Sequence, residues 1–156
     1  MFRKRPYGIL DNRKEKQLID ISQTEKTVNE KQIAFIICTN DQLRLDECLM
    51  YLIFLNIPEG FTTDTITIQG AAGMCAGYNA AMKESNAKYK IYMHQDVFIT
   101  DRDFLSKLLQ IFASDSRIGM VGAIGTPRLD YTAMMWDMPR VGKLCRYRHN
   151  TPYAII

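Results

Sequence analysis

The run "IAFIIC", Ile33 to Cys38, places six apolar residues in an unbroken row. A strand with one wet face alternates apolar and polar side chains, whereas a strand covered on both faces reads as a continuous apolar run. The stretch therefore predicts a central strand of a parallel sheet with helices on both faces. The residues after Cys38 fit that prediction. Leu45, Cys48, Leu49, Leu52 and Leu55 fall at i, i+3, i+4, i+7 and i+10, one stripe of a helix, with Asn40 or Asp41 placed to cap it. "NIPEG" ends the helix, since Pro58 lacks a donor and Gly60 admits a left-handed turn.

The pattern then repeats. "DTITIQG" alternates and is rich in β-branched residues, which predicts a second strand ending near Gln69. "GAAGMCAGYNAAM" predicts a tight turn into a helix whose small residues allow close backbone approach. Tyr89 to His94 reads as a third strand. Asp101 is placed to cap a helix that carries Phe104, Leu105, Leu108, Leu109 and Phe112 on one face, and "IGMVGAIG", Ile118 to Gly125, predicts a fourth short strand. The order β-α-β-α-β-α-β predicts an α/β fold, a mostly parallel sheet with helices on both faces. Residues 1–31 read as a polar extension with a short helix near Lys16–Ile21, residues 32–126 as the α/β core, and residues 127–156 as an irregular segment with room for a hairpin.

A chain of 156 residues, 47% hydrophobic and 24% charged, is long enough to bury one core without disulfides or structural metal. The four cysteines, Cys38, Cys48, Cys75 and Cys145, form no CxxC pair and suit a reducing compartment. The basic N-terminus leads into no apolar stretch, and no apolar run approaches the roughly 18 residues of a membrane span. A cytoplasmic location is expected. The formal charge of +3 is modest and argues neither for nor against nucleic acid; none is expected as partner. The charge does concentrate at the ends: Arg3, Lys4, Arg5, Arg13, Lys14 and Lys16 near the start, and Arg140, Lys143, Arg146 and Arg148 near the finish. Those ends offer weak contact with an anionic membrane surface, although simple solvation is the commoner outcome.

In sheets of this kind, ligands bind outside the carboxyl ends of the strands. Three of those ends are polar or glycine-rich: Thr39-Asn40-Asp41, Gln69-Gly70-Ala71-Ala72-Gly73 and His94-Gln95-Asp96. Such a crevice suits a nucleotide. If the third strand continues through Asp96, the side chains of His94 and Asp96 share one face about 7 Å apart, and both reach one divalent cation. A carboxylate plus ligand phosphates is the usual setting for Mg²⁺, and an imidazole shifts the preference towards Mn²⁺. The alternative is that Asp96 caps a turn and His94 is a satisfied core histidine. The chain contains no GxGxxG, GxxxxGK[ST] or GxSxG.

The segments "IAFIICTNDQLRLDECLMYLIFLNIPEGF", "GAAGMCAGYNAAMKESNAKYKIYMHQDVFI", "IGMVGAIGTPRL" and "MMWDMPRVGKL" together resemble the glycosyltransferase family 2-like domain of the streptomycin-biosynthesis-protein type. The resemblance runs from about Ile33 to about Lys143. It implies the glycosyltransferase A-type fold, whose Rossmann-like half binds a nucleotide-diphosphate sugar for transfer to an acceptor not identifiable from the residues. By that resemblance Cys38, Thr39 and Asn40 contact the base. Gln69 and Gly70 stand where relatives carry an acidic residue, and Tyr78-Asn79 stands where they carry an arginine-asparagine pair, leaving Asn79 as the matching donor-site residue. The DXD metal motif falls on His94-Gln95-Asp96, with Asp96 and His94 as ligands of a divalent cation (Mn or Mg) and Gln95 beside the substrate. Trp136 is placed either to stack on an acceptor sugar or to cover a sheet edge. An inverting transfer also needs a general base, yet none of the later acids Asp103, Asp115, Asp130 and Asp137 matches the family's base segment. The resemblance thus implies a domain lacking the acceptor half, and a non-catalytic interaction domain or truncated fragment is the alternative to an enzyme.

Overall fold

A computed structural model describes residues 27–134, 139, 141–142, 144–148 and 151–155, the last two segments by their backbone. These residues fall into two compact units that divide between Gln110 and Ile111.

The first unit is built on β1 (Asn29–Thr39), α1 (Gln42–Ile53), β2 (Thr62–Gln69), α2 (Met74–Glu84), β3 (Ala87–His94) and the start of α3 (Phe104–Ser114). The sheet order is β2-β1-β3, and both pairings are parallel. β1 is central because its apolar residues can be covered from both sides. Ile33, Phe35 and Ile37 point to one face, where they cluster with Leu45, Cys48, Leu52 and Leu55 of the α1 stripe, with Met93 and with Leu105 of α3. On the other face α2 comes so close that a Cβ on Gly77 would sit 2.8 Å from Cys38 Sγ and 3.4 Å from Ile68 Cγ2. The small residues of the second helix are what permit this approach. The fold is α/β with helices on both faces, as the run at Ile33 requires.

Local signals hold at the turns. Of the two capping candidates, Asp41 is the cap: its Oδ1 accepts from Leu43 N at 3.0 Å and Arg44 N at 3.2 Å. Gly60 adopts φ +73° after the first helix, and Gly70 adopts φ +67° where the chain leaves β2. At Asp101 the carboxylate accepts from Asp103 N at 3.0 Å, ahead of α3.

Two expectations are corrected. β1 begins at Asn29, inside the segment read as extension, where Asn29 N donates to Asn86 O at 2.8 Å. Ile118–Gly125 is not a strand; in it only Gly125 pairs, in an isolated antiparallel bridge to Val141. Gly119, Gly122 and Gly125 leave too few side chains there to pack a sheet face. The second unit holds a hairpin of β4 (Leu144–Arg148) and β5 (Thr151–Ile155), within the segment read as irregular with room for a hairpin. The helix expected near Lys16–Ile21 and the basic residues at positions 3–16, 140 and 143 lie outside the described residues, and those of Arg146 and Arg148 are described by backbone alone. No helix among the described residues is long and apolar enough to cross a membrane.

Candidate functional site

The carboxyl ends of β1, β2 and β3 open together on one cleft of about 380 Å³. The end of β1 and the residue after it contribute Cys38, Thr39 and Asn40; β2, its turn and the start of α2 contribute Ile68, Gly70, Ala71, Gly73 and Met74; the end of β3 and the turn after it contribute His94, Gln95 and Asp96. The parallel topology puts these ends side by side, since Thr39 is in register with Gln69 and Cys38 with His94.

On β1, Thr39 is buried and its Oγ1 donates to Asp41 O at 3.2 Å, so it shapes the loop. Burial pushes the Cys38 thiol above its ordinary range, and its Sγ lies 3.9 Å from Met74 O. Asn40 is exposed on the cleft. Gly73 is the N-cap of α2 and supplies no side-chain hydrogen bond, and the first helical bond runs from Gly77 N to Gly73 O. The amides of the first turn of α2 therefore lack a capping acceptor at the edge of the cleft, a setting that attracts anions.

The β3 end differs from the expectation. The strand stops at His94, and Val97 N donates back to His94 O at 3.2 Å, closing a tight turn. His94 and Asp96 thus share a turn rather than one strand face. Both are exposed, so the carboxylate carries no burial cost. No described residue forms a hydrogen bond or ion pair with the Asp96 carboxylate. It still acts at a distance: the neighbouring Cys48 thiol is pushed up to about 11, first by burial and then by the Asp96 charge. Cys48 Sγ in turn donates to Val97 O at 3.4 Å, holding the turn against α1.

Gln95 faces the β1 loop. Its Oε1 accepts from Asn40 N at 2.8 Å and from Asp41 N at 3.2 Å, while its Nε2 donates to Asn40 Oδ1 at 2.7 Å. Gln69 is exposed, donates from Nε2 to Gln42 Oε1 at 3.2 Å, and is not among the lining residues. Asn79 is exposed on α2 and does not line the cleft either. Tyr78 beside it turns inward, its hydroxyl donating to Met93 O at 3.1 Å. Trp136 and Asp137 lie outside the described residues. Ala71 and Gly73 belong to the glycine-rich strand end expected at the crevice, whereas Ile68 and Met74 on either side of it were not singled out by the sequence.

The later acids have local partners. Asp103 accepts from Asn56 Nδ2 at 2.8 Å, Asp115 holds Arg117 at 2.7 Å, and Asp130 accepts from Thr132 N at 2.8 Å. The Arg117 guanidinium lowers the Asp115 carboxyl, and the Thr132 hydrogen bonds lower that of Asp130. Among the described residues, no three His, Cys, Asp or Glu side chains gather into a metal-binding group.

A family model described as a glycosyltransferase-like family matches residues 34–156, most of the chain. The chain belongs to the glycosyltransferase-like family. Comparison with curated proteins and with solved structures returns no match. In a glycosyltransferase-like domain the parallel three-stranded sheet with its flanking helices is the expected framework, and the family implies, in general terms, a nucleotide-sugar donor and an acceptor.

Proposed function

We propose that this glycosyltransferase-like domain, of the streptomycin-biosynthesis-protein type, holds a nucleotide-diphosphate sugar in the cleft and presents it for transfer to an acceptor. The observation that carries the reading is the Asp96 carboxylate, which lines the cleft without a described hydrogen-bond partner while nearby carboxylates are engaged. Among the described residues no Lys or Arg lines the cleft, so a diphosphate entering it would meet none of their side-chain cations. The donor set, one carboxylate and one imidazole in a turn, is too small to cage a metal but suits a divalent cation completed by phosphate oxygens. Asp96 and His94 would hold Mn²⁺ or Mg²⁺, which on binding supplies charge stabilisation for the departing diphosphate. Asn40 lines the nucleoside side, and the first-turn amides of α2 add donors for phosphate oxygens. The partners found for Asp103, Asp115 and Asp130 favour a second reading, a domain that binds the donor without catalysing transfer.

Calorimetric titration of UDP and GDP, with and without Mn²⁺, tests the proposal. Binding is expected with Mn²⁺ at a Kd no weaker than about 1 mM, about −4 kcal/mol. Asp96→Ala removes the Mn²⁺-dependent part while changing stability by less than about 0.5 kcal/mol, as for an exposed side chain without a structural role. A silent titration with both nucleotides, or an Asp96→Ala variant that binds as the parent does, rejects the reading.

A further inference from the structure

In the turn after β3, His94 and Asp96 flank a residue whose polar atoms are committed to the fold. Gln95 is half-buried, and its amide spans to the loop after β1. Its Oε1 accepts from Asn40 N at 2.8 Å and Asp41 N at 3.2 Å, and its Nε2 donates to Asn40 Oδ1 at 2.7 Å. Those two backbone N–H groups belong to neither ladder, since β1 ends at Thr39 and α1 begins at Gln42. Two donors fill the two lone pairs of Oε1, which leaves a single N–H of Nε2 for any ligand. Gln95 therefore lines the cleft while its amide serves the loop.

The turn is otherwise anchored at its ends, where His94 pairs in register with Cys38 and Cys48 Sγ donates to Val97 O at 3.4 Å. Between those points Gln95 carries the side-chain hydrogen bonds that fasten the turn to the loop after β1, and the Asp96 carboxylate has no such bond among the described residues. An exposed carboxylate on a loose turn must be ordered as a cation binds, and a turn fixed beforehand removes that cost. We infer that Gln95 is a positioning residue: by clasping the loop after β1 it holds the turn so that the His94 and Asp96 side chains meet one divalent cation. This role rests on the donor-site reading and goes beyond it, giving part of the cation affinity to a residue that does not touch the ion.

Equilibrium dialysis on the full chain tests this role, with UDP or GDP, whichever the parent binds more tightly. Kd is measured at saturating Mn²⁺ and again with the metal removed by EDTA, and the ratio of the two values is the Mn²⁺ enhancement. Gln95→Leu keeps the size of the side chain and removes its hydrogen bonds. It should lower the enhancement about tenfold, as loss of a group that orients a metal ligand does, while Kd without metal stays within about twofold of the parent. A residue that only supports the fold would change the amount of competent protein, or both Kd values together, and the enhancement would not move. Gln95→Asn is the second variant if Gln95→Leu folds poorly: it keeps the amide but is one methylene too short to span to Asn40, and the same loss is expected. An enhancement unchanged in either folded variant, or Kd values that rise equally with and without Mn²⁺, overturns the inference while the donor site stands. If the parent binds neither nucleotide, or binds without enhancement, the cation reading at Asp96 falls and this inference falls with it.

Discussion

Two apolar stretches of the chain, Ile33–Cys38 and Ile118–Gly125, read alike in one dimension and part company in three. Ile33, Ile36 and Ile37 are 0% exposed, whereas Met120 is 89% exposed and Val121 39%. The first stretch is hydrogen-bonded to a strand on either side and covered by helices on both faces. The second spaces its apolar residues between Gly119, Gly122 and Gly125 and pairs only through one bridge. Apolar character brings a segment to a sheet only when side chains on both faces find partners and the backbone finds a ladder. Glycine every third residue denies the first condition and raises the entropic cost of the second.

That contrast can be broken by substitution. Ile37→Ala empties a fully buried site between β1, α1 and Met93 and should cost about 2–5 kcal/mol, read by chemical denaturation. A loss below about 1 kcal/mol would mean that β1 is not the centre of the core. Gly77→Val should cost about 1–3 kcal/mol, since even its Cβ would meet Cys38 Sγ at 2.8 Å. Because Cys38 also lines the cleft, nucleotide affinity should weaken in the same variant. Met120→Ser should change stability by no more than about 0.5 kcal/mol. A larger loss would show that the glycine-spaced stretch is packed after all, and the two stretches would no longer differ in kind.

The fold was legible to different depths along the chain. The α1 stripe of Leu45, Cys48, Leu52 and Leu55 is buried as its spacing demanded, because helical periodicity is set by near neighbours. The same holds for the cap at Asp41 and the turn at Gly60. The fourth strand failed because a short apolar run carries no information about whether a partner strand lies beside it. For the site, the three polar strand ends were read from the chain and do meet at one cleft. The detail was not. Gln69 and Asn79 are not among the lining residues, His94 and Asp96 sit in a turn rather than along a strand, and Gln95 both lines the cleft and grips the loop after β1.

What the chain's letters settled unaided was the order of the helices and parallel strands of the first unit and the apolar side of α1, since those patterns depend on residues a few positions apart. Which polar atoms satisfy one another was decided only by the folded sheet. Gln95 and Asn40 are 55 residues apart, and their amides meet because β1 and β3 lie parallel and in register. Hydrogen bonds require approach to within about 3 Å at a set angle, and no local pattern encodes a distance across strands.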